Sequence, residues 1–535
     1  MTEVLLQSAK KRIFSLGQIL MRPKVAHIIL EVCVIVSLVA AVAGERTIIA
    51  TQRRIMPAGD VFNFQSIARN IRYLDYPMQE KRLPGFPIAI LIGTELGFDP
   101  TLTGIAISII ASAGTTVILY LLGRHFKWPI FPLATVLLLT SVAPLLTING
   151  VRPLSDSYFL FLIVLSVYMV TVARPTKAWA LWTGFVLAFM VFTRYEGGPT
   201  AVLLLLLLRL RMSWRLVLYA CLPLGVGTLL WIPVLNHING SLSEFGYARD
   251  AKEVASLETL PQDYLRIVAS SGFGNAWVIA DAWSEDKQIR EEAKQLPESL
   301  GWWLSALGSF GFIWIIVSLR KEAAPLFVAF ILYPVLPAWW FTYSRYVAPM
   351  SAFYFFCIAG GAVGIWQIIQ FLFKRAPAFT RGIAAVLLGV LLILAIFDVA
   401  PLLYKEGVSR GLENNGRGYS LYAALQSLRH KSNRVAVSAD YLMAYMMFGS
   451  VDSPKDGLNA GRGIYFSAKP DATPEELARY MEDKKIDVLV DSGEKEVKGL
   501  VAYLKARDGI TESEVFTWPR QDGDIDTTYI HHIKK

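Results

Sequence analysis

"PAGDVFNFQSIARNIRYLDYPMQEKRLPGFP", residues 57–87, lies between two long apolar runs and places Asp60 near its start and Lys81-Arg82 near its end, followed at once by Leu83-Pro84-Gly85. A mixed stretch bounded by apolar runs is what the first loop outside a first membrane helix looks like, and the rest of the chain supports that setting. Of its 535 residues 54% are hydrophobic and 18% charged, and its mean hydropathy is +0.44. A soluble domain carries about 25% charged residues, so these values describe an integral membrane protein. Of the 52 Lys+Arg and 43 Asp+Glu, residues 404–535 hold 19 and 20, leaving 33 and 23 in the first 403. The excess of base belongs to the apolar part. There it fits topology signals and contact with lipid phosphate, and it argues against a nucleic-acid-binding protein, which would carry a basic stripe on a soluble fold. Cys33, Cys221 and Cys357 all fall in apolar runs, with neither metal spacing nor a disulfide framework.

A helix needs roughly 20 apolar residues to cross the hydrocarbon core. By that measure spans are expected near 26–43, 101–123, 128–148, 156–173, 178–193, 199–213, 215–236, 301–319, 324–342, 346–371 and 382–403, eleven crossings in all. The sixth, "PTAVLLLLLLRLRM", is the shortest, and its loss would invert everything after it. Short cytoplasmic loops collect Lys and Arg. With the N-terminus inside, alternate loops carry Arg124/Lys127, Arg174/Lys177, Arg209/Arg211/Arg215, Arg320/Lys321 and Lys374/Arg375/Arg381. That order places the long segments 44–100 and 237–300, the turns 149–155, 194–198 and 343–345, and residues 404–535 on the extracytoplasmic side of a multi-pass plasma-membrane protein. The basic start followed by an apolar run ending "AAVAG" mimics a cleavable signal. The length of the charged region, the interruption at Glu31 and the loop order favour an uncleaved first span. Residues 4–20 are amphipathic and either lie along the inner surface or fray.

From residue 404 the composition changes. Helix-like "YSLYAALQSLRHK", strand-like "RVAVS", helix-like "TPEELARYMEDKK", strand-like "IDVLVDS", helix-like "KEVKGLVAYLKARDG", then "EVFTW" and "TTYIHHI" alternate as in a small α/β soluble domain. His531 and His532 read as an exposed, inert terminal pair. The expected architecture is therefore an α-helical polytopic membrane domain, 1–403, followed by an extracytoplasmic α/β domain, 404–535.

Ionisable residues at a membrane are costly, so their positions are informative. They recur at the outer ends of spans: Asp60 and Arg82, Arg152 and Asp156 in "NGVRPLSDS", Arg194 and Glu196 in "FTRYEGG", Arg345 in "TYSRYVAPM". Within the spans Glu31 stands out, near the inner end. A proton or ion transporter would place such groups near the midplane of internally repeated halves; a site at the outer interface is the simpler reading.

In this order the motifs resemble the GT-C superfamily of membrane glycosyltransferases. "GDVFNFQSIARNI…RLPGFPIAIL" is similar to the family's first loop, "RPLSDSYFLFLIVLSVYM" to its second outer loop and the helix after it, "FTRYEGG" to its "TRxEG" turn, "NHINGS" to the start of its long loop, and "SRYVAPM" to its late "RYxxP" turn. The match spans most of residues 26–403, and the branch most resembled holds the protein O-mannosyltransferases and the aminoarabinose transferases. The resemblance implies transfer of a sugar from a polyprenyl-phosphate donor to a glycan, lipid or protein acceptor, with inversion at the anomeric carbon. It implies Asp60 as base, although Asp60-Val61 departs from the Asp-Glu common in mannosyltransferases. Arg82 and Arg345, with Lys81 as a substitute for its neighbour, would grip the lipid phosphate; interfacial snorkelling explains the same arginines. Asp156 is implied as a second acid that orients the acceptor, supports Arg152 or shares a divalent cation with Asp60, and "SDS" also reads as a helix N-cap. Arg194 and Glu196 read as a mutual pair. Tyr247, Tyr264 and Trp283 either line a groove in the long loop or anchor it at the interface. A lipid-linked sugar flippase and a non-catalytic membrane scaffold are the alternatives.

Overall fold

A computed structural model of the chain describes residues 23–52, 60–72, 82–141, 144–239, 298–319, 323–327, 344–372, 435–437, 463–465, 473–483, 485–491, 495–519 and 525–534, with isolated positions between. The amphipathic stretch 4–20, the helix-like segment near 419–431 apart from isolated positions, Lys81, Tyr247, Tyr264 and Trp283, and most of the expected spans 324–342 and 382–403 lie outside the described residues. The described part of the first 403 residues is helical, and four of its helices are long and apolar enough to cross a membrane, within Pro23–Gln52, Pro100–His125, Trp214–Asn239 and Ser344–Leu372. The chain is a membrane protein.

The first helix, α1 (Pro23–Gln52), does not stop near residue 43 as the sequence suggests. It carries Glu45 and Arg46 onward inside the bundle, and Arg46 is 1% exposed. Arg46 Nη1 donates to Glu45 Oε2 at 2.9 Å, and Thr147 Oγ1 donates to the other Glu45 oxygen at 3.4 Å. Pairing removes most of the cost of burying both charges, so the helix continues. Glu31, on the same helix, receives Arg124 Nε at 2.9 Å and is held in an ion pair.

The expected loop 44–100 contains two helices, α2 (Asp60–Arg72) and α3 (Gly85–Glu95). In α2, Val61, Phe64, Gln65, Ile67 and Ala68 are buried, the spacing of one apolar stripe on an amphipathic helix. After α4 (Pro100–His125), the expected span 128–148 is described as α5 (Ile130–Ser141) and α6 (Pro144–Val151). Pro144, which has no N–H to donate, opens α6 where none is needed. Helices α7 (Ser155–Thr171), α8 (Lys177–Thr193), α9 (Gly197–Arg209), α10 (Trp214–Asn239) and α11 (Glu298–Leu319) follow the expected spans, then α12 (Ala324–Phe327) and α13 (Ser344–Leu372).

Glycines set the closest contacts. A Cβ on Gly311 of α11 would stand 1.8 Å from the carbonyl oxygen of Cys357, and one on Gly361 of α13 would stand 2.2 Å from that of Leu307. The two backbones therefore touch directly, the small-residue packing that holds membrane helices together where no hydrophobic effect separates protein from lipid. Phe356 of α13 stacks on Trp128, just beyond α4, at 4.6 Å.

In the C-terminal part, β1 (Val435–Val437), β2 (Gly463–Tyr465), β3 (Val488–Asp491), β4 (Ile510–Pro519) and β5 (Ile525–Ile533) form one sheet in the order β2-β1-β3-β5-β4. β1 runs parallel to β2 and β3, and β5 is antiparallel to β3 and β4. All four residues of β3 are buried, as befits a central strand. Helices α14 (Pro474–Asp483) and α15 (Lys495–Ala506) pack Leu477, Met481 and Leu500 against Leu489. Thr473 and Glu476 exchange backbone bonds in a capping box before α14. The strand pairing corrects the reading of the two histidines. His531 lies on β5 between two strands, 2% exposed, with Ser513 Oγ 2.7 Å from its Nδ1, and His532 Nε2 is 3.1 Å from Glu514 Oε1.

Candidate functional site

The motif residues are far apart in sequence, and the packing brings most of them to one end of the helix bundle. That end is fixed by the start of α4, where Gln65 of α2 donates to Thr101 at 2.9 Å and Ser108 donates to the carbonyl of Leu154, just before α7. Asp60 is the first residue of α2 and stands one turn before Phe64. The Arg82 guanidinium lies over the Phe64 ring at 5.7 Å. Phe64 meets Phe86 edge-on at 5.2 Å, and Phe86 reaches Tyr158 of α7 at 6.0 Å. One aromatic chain thus links the first loop to the helix that carries Asp156.

Leu83-Pro84-Gly85 now has a physical account. A Cβ on Gly85 would stand 2.5 Å from Thr193 Oγ1 and 2.7 Å from the Phe192 carbonyl, so only glycine lets α3 begin against the end of α8. Pro84 and Pro87 preset the first helical turn without costing it a donor. The consequence is that the Arg82 turn and the Arg194 turn are neighbours.

Asp156 is in the first turn of α7, but it caps nothing: the N-cap position is Leu154, with no side-chain cap bond. Its carboxylate, 4% exposed, accepts from Arg194 Nη1 at 2.6 Å, a charge-assisted bond across α7 and α8. The expected Arg194–Glu196 pair is present at 3.5 Å, so one guanidinium is held between two carboxylates, and it also lies over the Phe159 ring at 5.4 Å. Arg194 has extended backbone where α8 ends, and Gly197 closes the turn, since a Cβ there would stand 2.5 Å from the Met190 carbonyl.

Arg152 is partly buried in the turn between α6 and α7. The end of α6 just before that turn packs on Arg46: a Cβ on Gly150 would stand 2.3 Å from Arg46 Nε. Arg345 is in the first turn of α13. Further along α13, Phe356 meets Trp128. Among the described residues no group of three His, Cys, Asp or Glu stands together, and Asp156 is paired with Arg194. Sequence reasoning missed Glu45, Arg46, Thr147, Phe64 and Tyr158. The signal for the first two was two adjacent charges inside a run that stays apolar on both sides.

No protein-family model matches the chain, and no curated protein matches it. Among solved structures, ArnT from Cupriavidus metallidurans bound to undecaprenyl phosphate is 11% identical, covering 94% of this chain and 98% of its own, with a TM-score of 0.53. ArnT in the apo state gives 11%, 95%, 98% and 0.54. The archaeal oligosaccharyltransferase AglB from Archaeoglobus fulgidus, in complex with an inhibitory peptide and a dolichol-phosphate, gives 11%, 92%, 74% and 0.49. At this identity the likeness is one of fold: over nearly its whole length the chain shares the fold of ArnT.

Proposed function

We propose that the chain is an inverting glycosyltransferase that moves a sugar from a polyprenyl-phosphate donor to a glycan, lipid or protein acceptor on the extracytoplasmic face of the plasma membrane. The observation that carries this reading is the assembly at one end of the bundle of the helix opened by Asp60, the Arg82 turn and the Asp156–Arg194–Glu196 cluster. ArnT, whose fold the chain shares, binds undecaprenyl phosphate, a ligand of the same class. In this reading eleven helices cross the membrane, the N-terminus is cytoplasmic, and residues 404–535 form an α/β domain on the outer side.

Asp60 takes the proton from the acceptor hydroxyl as its oxygen attacks the anomeric carbon from the face opposite the phosphate. The bond from that carbon to the phosphate oxygen breaks, and the polyprenyl phosphate leaves with the electron pair. Phosphate is a good leaving group, so the site needs a base and cations more than a strong acid. Arg82, Arg345 and Lys81 receive the developing charge. Asp156, Glu196 and Arg194 are positioning residues that hold the second and third outer turns together, with Arg152 on the first of these.

The test is loss of radiolabelled sugar from a panel of polyprenyl-phosphate monosaccharides, with purified protein in nanodiscs, wild type beside Asp60→Asn. Consumption of one donor by wild type and not by the variant is the expected result. Full activity of folded Asp60→Asn would remove the base from the mechanism. Bound but unconsumed donor, with acceptor supplied, would favour a flippase or a scaffold.

A further inference from the structure

The opposite end of the bundle, about 25 Å from Asp156 along α7, carries a second charged cluster that the proposed reaction does not use. Arg174 and Lys177 flank the start of α8, Arg209 ends α9, and Arg211 and Arg215 flank the start of α10. The two connections interlock, because the Lys177 ammonium lies over the Tyr219 ring of α10 at 5.5 Å and Arg211 donates to the carbonyl of Thr171. Five cations thus share one surface. Between Asp156 and Glu244 the chain has a single acid, Glu196, and that one is at the other end with Arg194. Glu31, which does lie toward this end, is occupied by Arg124.

Three of the five cations lie on aromatic rings, and Arg209 also donates to the Met212 carbonyl at 3.2 Å. Arg174 lies over Trp179 at 5.2 Å, Lys177 over Tyr219, and Arg209 over Trp214 at 5.0 Å. A ring face fixes a cation without neutralising it, so the positive charge stays available to an incoming anion. Arg174, Lys177 and Arg215 are exposed. Beside them the surface is apolar: Trp182 and Phe185 of α8 and Leu218 and Leu222 of α10 are exposed, flanking the close contact of Gly184 with the Ala220 carbonyl. A ligand that satisfies both halves has an anionic headgroup and hydrocarbon chains.

We propose that the interlocked connections 172–177 and 209–215, with α8 and α10 beside them, form a saturable binding site for an anionic phospholipid, its phosphate among the aromatic-seated cations and its acyl chains along the exposed apolar face. The experiment uses the full chain in phosphatidylcholine nanodiscs containing increasing fractions of phosphatidylglycerol, and reads the thermal midpoint together with lipid retained in native mass spectrometry. Wild type is expected to retain phosphatidylglycerol and to gain a midpoint increment that saturates. At about fivefold per cation near a lipid surface, R174Q/K177Q/R209Q/R215Q binds on the order of several hundredfold more weakly and loses the increment. The milder K177Q/R215Q, which changes two exposed side chains, keeps the test open if the quadruple variant does not fold, and is expected to bind roughly 30-fold more weakly. Retention equal to wild type in K177Q/R215Q would overturn the site. So would a midpoint that rises without saturating, which reports bulk surface charge, or an equal rise with inorganic phosphate in phosphatidylcholine alone, which reports a free-anion site.

Discussion

Asp156 and Arg194 are the pair whose removal separates a clamp from a reacting group. Their atoms are 2.6 Å apart, and their side chains are 4% and 9% exposed. Breaking such a pair by deleting one partner costs about 3–5 kcal/mol, because the remaining charge stays buried. The two partners are not equivalent. In Asp156→Asn, Arg194 still has Glu196 at 3.5 Å and the Phe159 ring, and the amide oxygen still accepts a bond, so the loss is about 1–2 kcal/mol. In Arg194→Met, Asp156 and Glu196 are both left without their shared guanidinium, and the cost is the full 3–5 kcal/mol or so. Unfolding of both variants in mixed micelles, with the double variant to close the cycle, measures the difference. Transfer activity per folded molecule should remain within about tenfold of wild type in Asp156→Asn, since a carboxylate buried against Arg194 acts through that residue. Equal destabilisation by the two variants would refute the asymmetric clamp. Abolished activity at unchanged stability would place Asp156 at the reacting atoms.

Other substitutions probe the neighbouring contacts. Gly150→Ala puts a methyl group 2.3 Å from Arg46 Nε, a fully buried side chain, and is expected to cost about 1–3 kcal/mol in the same unfolding assay. Arg82→Gln removes a charged donor from the proposed phosphate site, and kcat/KM for the donor should fall about 10- to 100-fold with little change in stability; an unchanged value would leave Arg82 as an interfacial anchor on Phe64. Glu31→Gln, in a pair that is 27% and 19% exposed, should cost about 1 kcal/mol or less and leave transfer intact; loss of activity would give the inner end a role that the proposed mechanism lacks.

Local patterns were legible and pairings across the bundle were not. The buried run of β3 and the capping box before α14 could be read from a few adjacent residues. The stripe of α2 was also written in "VFNFQSIARNI", yet its position between two apolar spans made it look like loop. α1 was cut short because a rule that counts charges cannot know that Glu45 and Arg46 satisfy each other with Thr147 nearby. Asp156 looked like a cap for a similar reason: its partner, Arg194, enters from another helix, and nothing in "SDS" records it. Gly85 is the converse case, where the sequence kept a glycine whose reason, the end of α8, becomes visible only in three dimensions.

The contact between α11 and α13 also has a mechanical meaning. Where Gly311 and Gly361 let the two main chains touch, no layer of side chains remains to flex and absorb a shift. The helices run side by side in the same direction, with Gly308 against Tyr354 and Gly311 against Cys357. They therefore behave as one stiff beam, so that a shift of either helix carries the other with it.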